Sequence, residues 1–337
     1  MKVAILSPEN PSSPLILAEN LHHRLKKRGV ESKLFFCHGL LHRLCPRSKS
    51  GKKAHFHWRQ KVQRWKDDSA RIRELATFDA IVLADYIPTA YNPGRYGVEP
   101  LRVKTGTPVY IYEVYSPHNA PSIEARIQDQ YGVDPQAHFD GILHVASTTE
   151  VQGTPYPTSF CIGLTSEVWQ LQSLSKSEMH VVVDFVQPGH EVNRERQIKT
   201  LESLGIAFTS LEGKYAVKDI RKIYSQATHY IIQSSEAFGL PICECLNCGA
   251  EILTQEAHWP MSWRKGDAIR SFEEGTLPEY FHVFRDQAGL QQCLEQAQYV
   301  NLTARAQEVQ NQFREDYPQF YHGDDDELSR WLNTLTA

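Results

Sequence analysis

Ser235-Glu236-Ala237-Phe238-Gly239-Leu240-Pro241-Ile242-Cys243-Glu244 is the stretch on which the reading of the fold turns, with Cys245-Leu246-Asn247-Cys248-Gly249-Ala250 directly behind it. Ahead of it, His229-Tyr230-Ile231-Ile232-Gln233 is a short apolar run that reads as a buried strand, so the segment predicts a strand, a tight turn and a helix. Pro241 suits the first helical position, where its missing N–H is no loss, and Gly249 suits the helix stop. Such a turn aims the backbone N–H groups of Phe238, Gly239 and Leu240 beyond the strand end, which favours an anion there.

Two carboxylates, Glu236 and Glu244, frame the turn with seven residues between them. A glutamate pair alone is common on helices and reads equally as a solvated face. With Phe-Gly-Leu-Pro inside it, the pattern resembles the Glu-x7-Glu signature of retaining family-four glycosyltransferases, E-x-F-G-L-P-x-x-E-x-x-x-x-G. It matches at Glu236, Phe238, Gly239, Leu240, Pro241, Glu244 and Gly249. The resemblance implies an α/β protein of the GT-B fold, two Rossmann-like doubly wound domains facing across a cleft, working on a nucleotide sugar. Carried over, Glu244 holds the ribose hydroxyls. Glu236 positions the sugar and, with the amides of Phe238, Gly239 and Leu240, holds the diphosphate side of the donor. No cofactor beyond that co-substrate and no metal are expected, because a helix N-terminus and arginines can balance the departing phosphates.

A chain of 337 residues is long enough for two domains with separate cores. Its 41% hydrophobic and 23% charged content is that of a soluble globular protein. The N-terminal run Met1-Lys2-Val3-Ala4-Ile5-Leu6-Ser7 turns polar at once and no apolar run is long enough to span a bilayer, so the reading is cytoplasmic. Seven scattered cysteines do not make a disulfide framework. Cys243, Cys245 and Cys248 fall on the helix behind the turn without zinc-ligand spacing, and read as small buried residues.

The net charge of -4 is unevenly spread: residues 42–74 hold eleven Lys or Arg against three acids, about +8, leaving about -12 elsewhere. Within that segment Trp58, Val62 and Trp65 have helical spacing and Arg59, Lys61, Arg64 and Lys66 surround them. Three readings stand: tryptophans packed on the domain with solvated charges, an amphipathic helix on an anionic membrane or lipid-linked acceptor, or a grip on a nucleic-acid backbone. The last makes the chain a DNA-base glycosyltransferase. A further alternative is a binding protein that keeps the fold without the chemistry.

In chain order, residues 1–164 read as the N-terminal acceptor domain. Strands are expected at Lys2–Leu6, 31–36, 78–84, 108–114, 139–147 and 159–163, and a helix over 15–28 carries Leu15, Ala18, Leu21 and Leu25 on one face. Ligands in such sheets lie beyond the carboxyl ends of strands, which nominates Asp85, Tyr86, Tyr115, Ser116, His118 and Asn119, with Arg59 and Arg64 on the acceptor side. His118 also resembles the family's sugar-facing histidine. Residues 165–320 read as the nucleotide-sugar domain, beginning with the polar link 165–176, and 321–337 as a helix packing back on the first domain. The family carries an Arg and a Lys in the loop after the first strand of this domain. Here 187–196 lacks that wording, and Arg194, Arg196 and Lys199 are the substitutes at hand. Gly213 and Lys214 fall where the family's nucleotide base lies.

Overall fold

The computed structural model of the chain describes residues 1–7, 13–36, 70–84, 98–115, 139–146, 159–169, 176–236, 238–255, 259–263, 277–298 and 301–336. They fall into two compact units. The first comprises the described residues of Met1–Ala146 and Val151–Leu164 together with Asp324 onward, and the second those of Thr165–Gly323.

The first unit is built on a parallel sheet of β1 (Lys2–Ser7), β2 (Glu31–Phe36), β3 (Ala80–Ala84), β4 (Val109–Tyr115), β5 (Gly141–Ala146) and β6 (Ser159–Cys161), in the order β2-β1-β3-β4-β5-β6. Parallel central strands are covered on both faces, which is why Val-Ala-Ile-Leu in β1 and Ala-Ile-Val-Leu-Ala in β3 are apolar without alternation and wholly buried. Helix α1 (Ser13–Lys27) buries Leu17, Ala18, Leu21 and Leu25. Leu17 stands where the sequence suggested Leu15, which is only half-buried in the first turn. Arg24 lies within that apolar stripe and is 3% exposed. Its guanidinium donates to the carbonyls of Ile162 (2.5 Å) and Asp324 (2.8 Å), tying the last strand and the chain's final helix to α1. Residues 70–75 are helical, and α2 spans Val98–Thr105.

The second unit holds β7 (His180–Val183), β8 (Ala207–Ser210), β9 (His229–Ile232), β10 (Glu251–Thr254) and β11 (Phe281–Val283), parallel in the order β11-β10-β9-β7-β8. Its helices are α3 (Glu191–Ser203), α4 (Val217–Gln226), α5 (Leu240–Asn247), α6 (Gln287–Ala297), α7 (Leu302–Asp316) and the short α8 (Pro318–Tyr321). Strand order reverses between β7 and β9, as it does between β1 and β3, and ligands of doubly wound sheets sit outside the strand ends at such a reversal. Helices divide between the two faces. On one, Leu201 of α3 and Leu290 and Leu294 of α6 pack with Val181, Val183, Ile231 and Leu253. On the other, the alternate residue Tyr230 meets Tyr224 of α4 edge-on at 5.8 Å, and α5 packs with α4 and α7.

Helix α9 (Asp325–Thr334) starts at Asp324, whose side chain accepts from Glu327 N at 2.9 Å, and has three acids in its first turn, where the helix dipole favours them. It belongs to the first unit: Arg330 donates to Ser159 O at 2.6 Å and Trp331 packs edge-on against Tyr110. The stretch 165–169, expected within a polar link, is part of the second unit's packing. Thr165 bridges His322, and a 3₁₀ turn, Ser166–Trp169, carries the buried Trp169.

Candidate functional site

The β7–β9 reversal gathers three carboxylates. Asp184 directly follows β7, Glu236 lies three residues beyond Gln233 in the turn after β9, and Glu244 sits inside α5. Burial and the charge of Asp184 push Glu236 up to about 7. Asp184 is itself raised by burial, against the opposing pull of Tyr230, the Phe185 amide and Arg194. Asp184 and Glu236 thus share a poorly hydrated space in which each charge bears on its neighbour.

The turn depends on Gly239 for space rather than for backbone freedom, since its φ is −117°. A Cβ there would lie 2.6 Å from Glu236 Oε2 and 2.7 Å from Ile242 Cδ1. Absence of a side chain therefore lets the Glu236 carboxylate fold over the start of α5. Gly239 is the N-cap, no side chain caps the helix and Pro stands in its first turn, so the leading N–H groups rely on partners outside the helix. At the other end Gly249 adopts φ +75°, with the backbone of Ala306 only 2.3 Å from where a Cβ would be.

Glu244 is 5% exposed and accepts from Arg221 Nε of α4 at 2.7 Å through Oε1. Burial raises its pKa while the charge and hydrogen bond of Arg221 lower it. Arg221 in turn stacks over the Trp169 ring, 5.1 Å from its centroid. Leu240 is half-buried, and Phe238 turns inward, 2% exposed, against Phe320 at 5.0 Å, so its ring is part of the core.

The expected cations are placed differently from one another. The loop after β7 ends at His190, because Glu191 already begins α3, and Arg194 and Arg196 are helical. The Arg194 guanidinium donates to Asp184 O (3.1 Å), Ser210 Oγ (2.6 Å) and Leu211 O (2.8 Å), which clamps the ends of β7 and β8 together. Lys199 is exposed and pairs with Glu195 at 2.7 Å, one turn back along the helix. Arg196 is exposed and lines a cavity with Asn193, Gln197 and Thr200 of α3 and Gln287 and Leu290 of α6. Gly213, at φ +73°, and the exposed Lys214 form the loop after β8, where Tyr215 packs edge-on with Phe185 at 6.0 Å.

Tyr115 closes β4. Asp85, Tyr86, Ser116, His118, Asn119, Arg59 and Arg64 lie outside the described residues, as does most of the basic segment. Cys243, Cys245 and Cys248 are buried free thiols, with burial pushing Cys248 up to about 12. Among the described residues no group of three or more His, Cys, Asp or Glu is arranged to hold a metal ion, and no helix is long and apolar enough to cross a membrane. Asp184 was missed in the sequence, although the strand-end rule that nominated Asp85 applies equally to the residue following Val181-Val182-Val183. Arg221 carries no such signal, because its partner is 23 residues away on another helix.

No model of a known protein family and no curated protein sequence matches the chain. Solved structures do. An alpha-glucosyltransferase in complex with UDP and a 13-mer DNA containing a central A:G mismatch is 12% identical, with each chain covered in full, at a TM-score of 0.59. An alpha-glucosyltransferase with UDP and a 13-mer DNA containing a HMU base is 9% identical, again with both chains covered in full, at 0.56. The catalytic domain of starch synthase IV from Arabidopsis thaliana, bound to ADP and acarbose, is 12% identical over 94% of this chain and 98% of that one, at 0.53. The fold is that of the GT-B glycosyltransferases, two parallel-sheet α/β units.

Proposed function

We propose that the chain is a nucleotide-sugar-dependent glycosyltransferase that acts with retention, its donor seated at the mouth of the second sheet. The observation that carries this reading is the pairing of Asp184 and Glu236 at the β7–β9 reversal, with Glu244 inside the helix that follows, beside an uncapped helix start, in a fold shared with sugar-transferring enzymes. Glu244, braced by Arg221 on Oε1, offers Oε2 to the ribose hydroxyls. Leaving-group charge falls to the first-turn amides of α5 and to Lys214 on its glycine loop, since Arg194 and Lys199 are engaged elsewhere.

In the step itself the bond from the sugar's anomeric carbon to the diphosphate oxygen breaks. An acceptor oxygen or nitrogen bonds to that carbon on the same face, and the acceptor's proton passes to the departing phosphate. Glu236 positions the sugar through its hydroxyls and is not the base. Metal independence belongs to this proposal and is checked by transfer in the presence of a chelator.

A panel of UDP, GDP, ADP and TDP sugars in thermal unfolding tests the donor. One should stabilise the protein by about 2.7 kcal/mol at a hundredfold over its dissociation constant. Mass spectrometry of mixed donors with lipid, glycan and DNA acceptors then reads transfer. Glu236→Ala should abolish it with the fold intact, and Glu244→Ala should chiefly weaken donor binding; full transfer by Glu236→Ala refutes the assignment.

A DNA acceptor is the second reading. It is favoured by the full-length likeness to alpha-glucosyltransferases solved with DNA and by the +8 segment at 42–74. DNA affinity that falls steeply with salt, less steeply after neutralising Arg59, Lys61, Arg64 and Lys66, supports it, and absence of binding at low salt removes it.

A further inference from the structure

Two aromatic rings stand at the mouth of the second sheet without belonging to its core. Phe185 follows Asp184 just beyond β7, and Tyr215 lies in the loop after β8, two residues before α4 begins. Both are only half-buried, and neither is among the residues that pack on the α3 and α6 face. They meet edge-on, with centroids 6.0 Å apart and planes at 63°. Rings set at such an angle make a notch rather than a stack, and a third flat ring can lie against one while meeting the edge of the other.

The geometry of the notch is set by Arg194, which is 9% exposed. Its guanidinium donates to the carbonyls of Asp184 and Leu211 and to the hydroxyl of Ser210, so it joins the two strand ends from which the ring-bearing segments leave. Its Nη1 also stands 3.6 Å from the Glu212 carboxylate. Glu212 N donates to the Tyr215 hydroxyl at 3.3 Å across the turn made by Gly213, which ties Tyr215 to the clamped end of β8. Phe185 is tied to the same clamp through the peptide unit it shares with Asp184.

Position says what the notch takes. Strand order puts β7 beside β9, and β8 next outward. With neighbouring strands about 4.8 Å apart, Phe185 is one strand spacing and Tyr215 two from the turn that carries Glu236. The groups for phosphate and ribose lie inward of the rings: α5 starts after that turn, and Arg221, which braces Glu244, is six residues past Tyr215 on α4. We infer that Phe185 and Tyr215 seat the nucleobase of the donor, and that Arg194 is the positioning residue that sets this seat without touching the ligand. The inference rests on the donor reading proposed above and assigns the base end of that site. Stacking accepts the face of any base, so the seat supplies affinity and leaves the choice among bases to other groups.

Calorimetric titration of the full-length protein and its variants with UDP, GDP, ADP, TDP and inorganic diphosphate tests this. For the nucleotide that the parent binds most tightly, Tyr215→Leu should weaken affinity by about tenfold, as when a base loses its stacking partner, and Tyr215→Trp should keep it. Arg194→Lys, which keeps the charge but not the fork, should weaken the same nucleotide and leave inorganic diphosphate, which has no base, bound as by the parent. Tyr215 is in a loop outside the core, so its variants test the seat even where Arg194→Lys unfolds. Unchanged nucleotide affinity in both Tyr215→Leu and Phe185→Leu overturns the seat. A loss in Arg194→Lys that diphosphate shares puts the guanidinium on the phosphates and overturns its positioning role. Should the parent bind none of the four nucleotides, the donor reading falls and this inference with it, whereas nucleotide binding that ignores both rings removes this inference alone.

Discussion

The charge of Asp184 adds to burial, the larger cause, in raising the Glu236 carboxyl to about 7. The sign follows from the direction of the shift. A carboxyl whose pKa is raised from 4.5 on folding weakens the fold as pH climbs from 4.5 to about 7, because the unfolded chain ionises first. Glu236→Gln, a mimic of the protonated form, should therefore melt higher than the parent above pH 7 and show little difference near pH 4, while losing transfer. Asp184→Asn should move the Glu236 titration to lower pH, read as the midpoint of its carboxylate signal in ¹³C NMR. A midpoint that stays at about 7 rejects the coupling.

Gly239→Ala should separate activity from stability. The Cβ meets the far ends of two movable side chains, Glu236 and Ile242, so both can give way at modest energetic expense. The variant should unfold within about 1 kcal/mol of the parent in denaturant, yet lose at least tenfold in kcat/KM because Glu236 is displaced. Equal activity would show that the position of Glu236 does not matter.

Most of the architecture was legible because it rests on patterns a single strand or helix carries by itself. Apolar runs marked β1, β3, β4, β7 and β9, and Pro241 and Gly249 bracketed α5. What escaped the sequence was pairing at a distance. Arg194 looks like any helical arginine until β7 and β8 are placed beside it, and Arg24 looks solvated until Ile162 and Asp324 arrive more than a hundred residues later. Leu17 displaced Leu15 from the α1 stripe because the helix enters at Ser13, one turn of side chains before its face meets the sheet. Within the candidate site, Glu236 and Glu244 are nominated by one local motif, whereas Asp184 reaches Glu236 only through sheet order and Arg221 reaches Glu244 only through helix packing.

The Arg221–Glu244 pair should show an asymmetry. Removing Arg221 leaves a carboxylate that is 5% exposed without its counter-charge, and breaking a buried pair in this way costs about 3 kcal/mol. Arg221→Met should fall near that figure in urea unfolding, and Arg221→Met with Glu244→Met should recover much of the loss. If the double variant is no better than the single one, Arg221 acts through its stacking on Trp169 rather than through charge.

At the opposite ends of the strands, Glu251 offers a test of fold independent of any activity. It is 7% exposed, and its Oε1 accepts from His282 Nε2 (2.9 Å) and from Arg305 Nε and Nη2 (2.9 and 2.7 Å), while His229 Nε2 lies 3.3 Å from Oε2. Burial would raise its pKa, but the hydrogen bonds and charges of His229 and His282 prevail and hold it far below 4.5. A carboxyl lowered on folding contributes stability that is present above its unfolded pKa and lost as pH falls through the folded one. Glu251→Gln should therefore be destabilised by about 3 kcal/mol at pH 7, as when one partner leaves a buried ion pair. The gap from the parent should begin to close below pH 4.5 and narrow further as the acid strengthens. Because Glu251 joins β9 to β11 and to α7, the loss should appear first as faster amide exchange along β11, the edge strand. A constant difference from pH 7 into acid would mean that the side chain serves by shape alone.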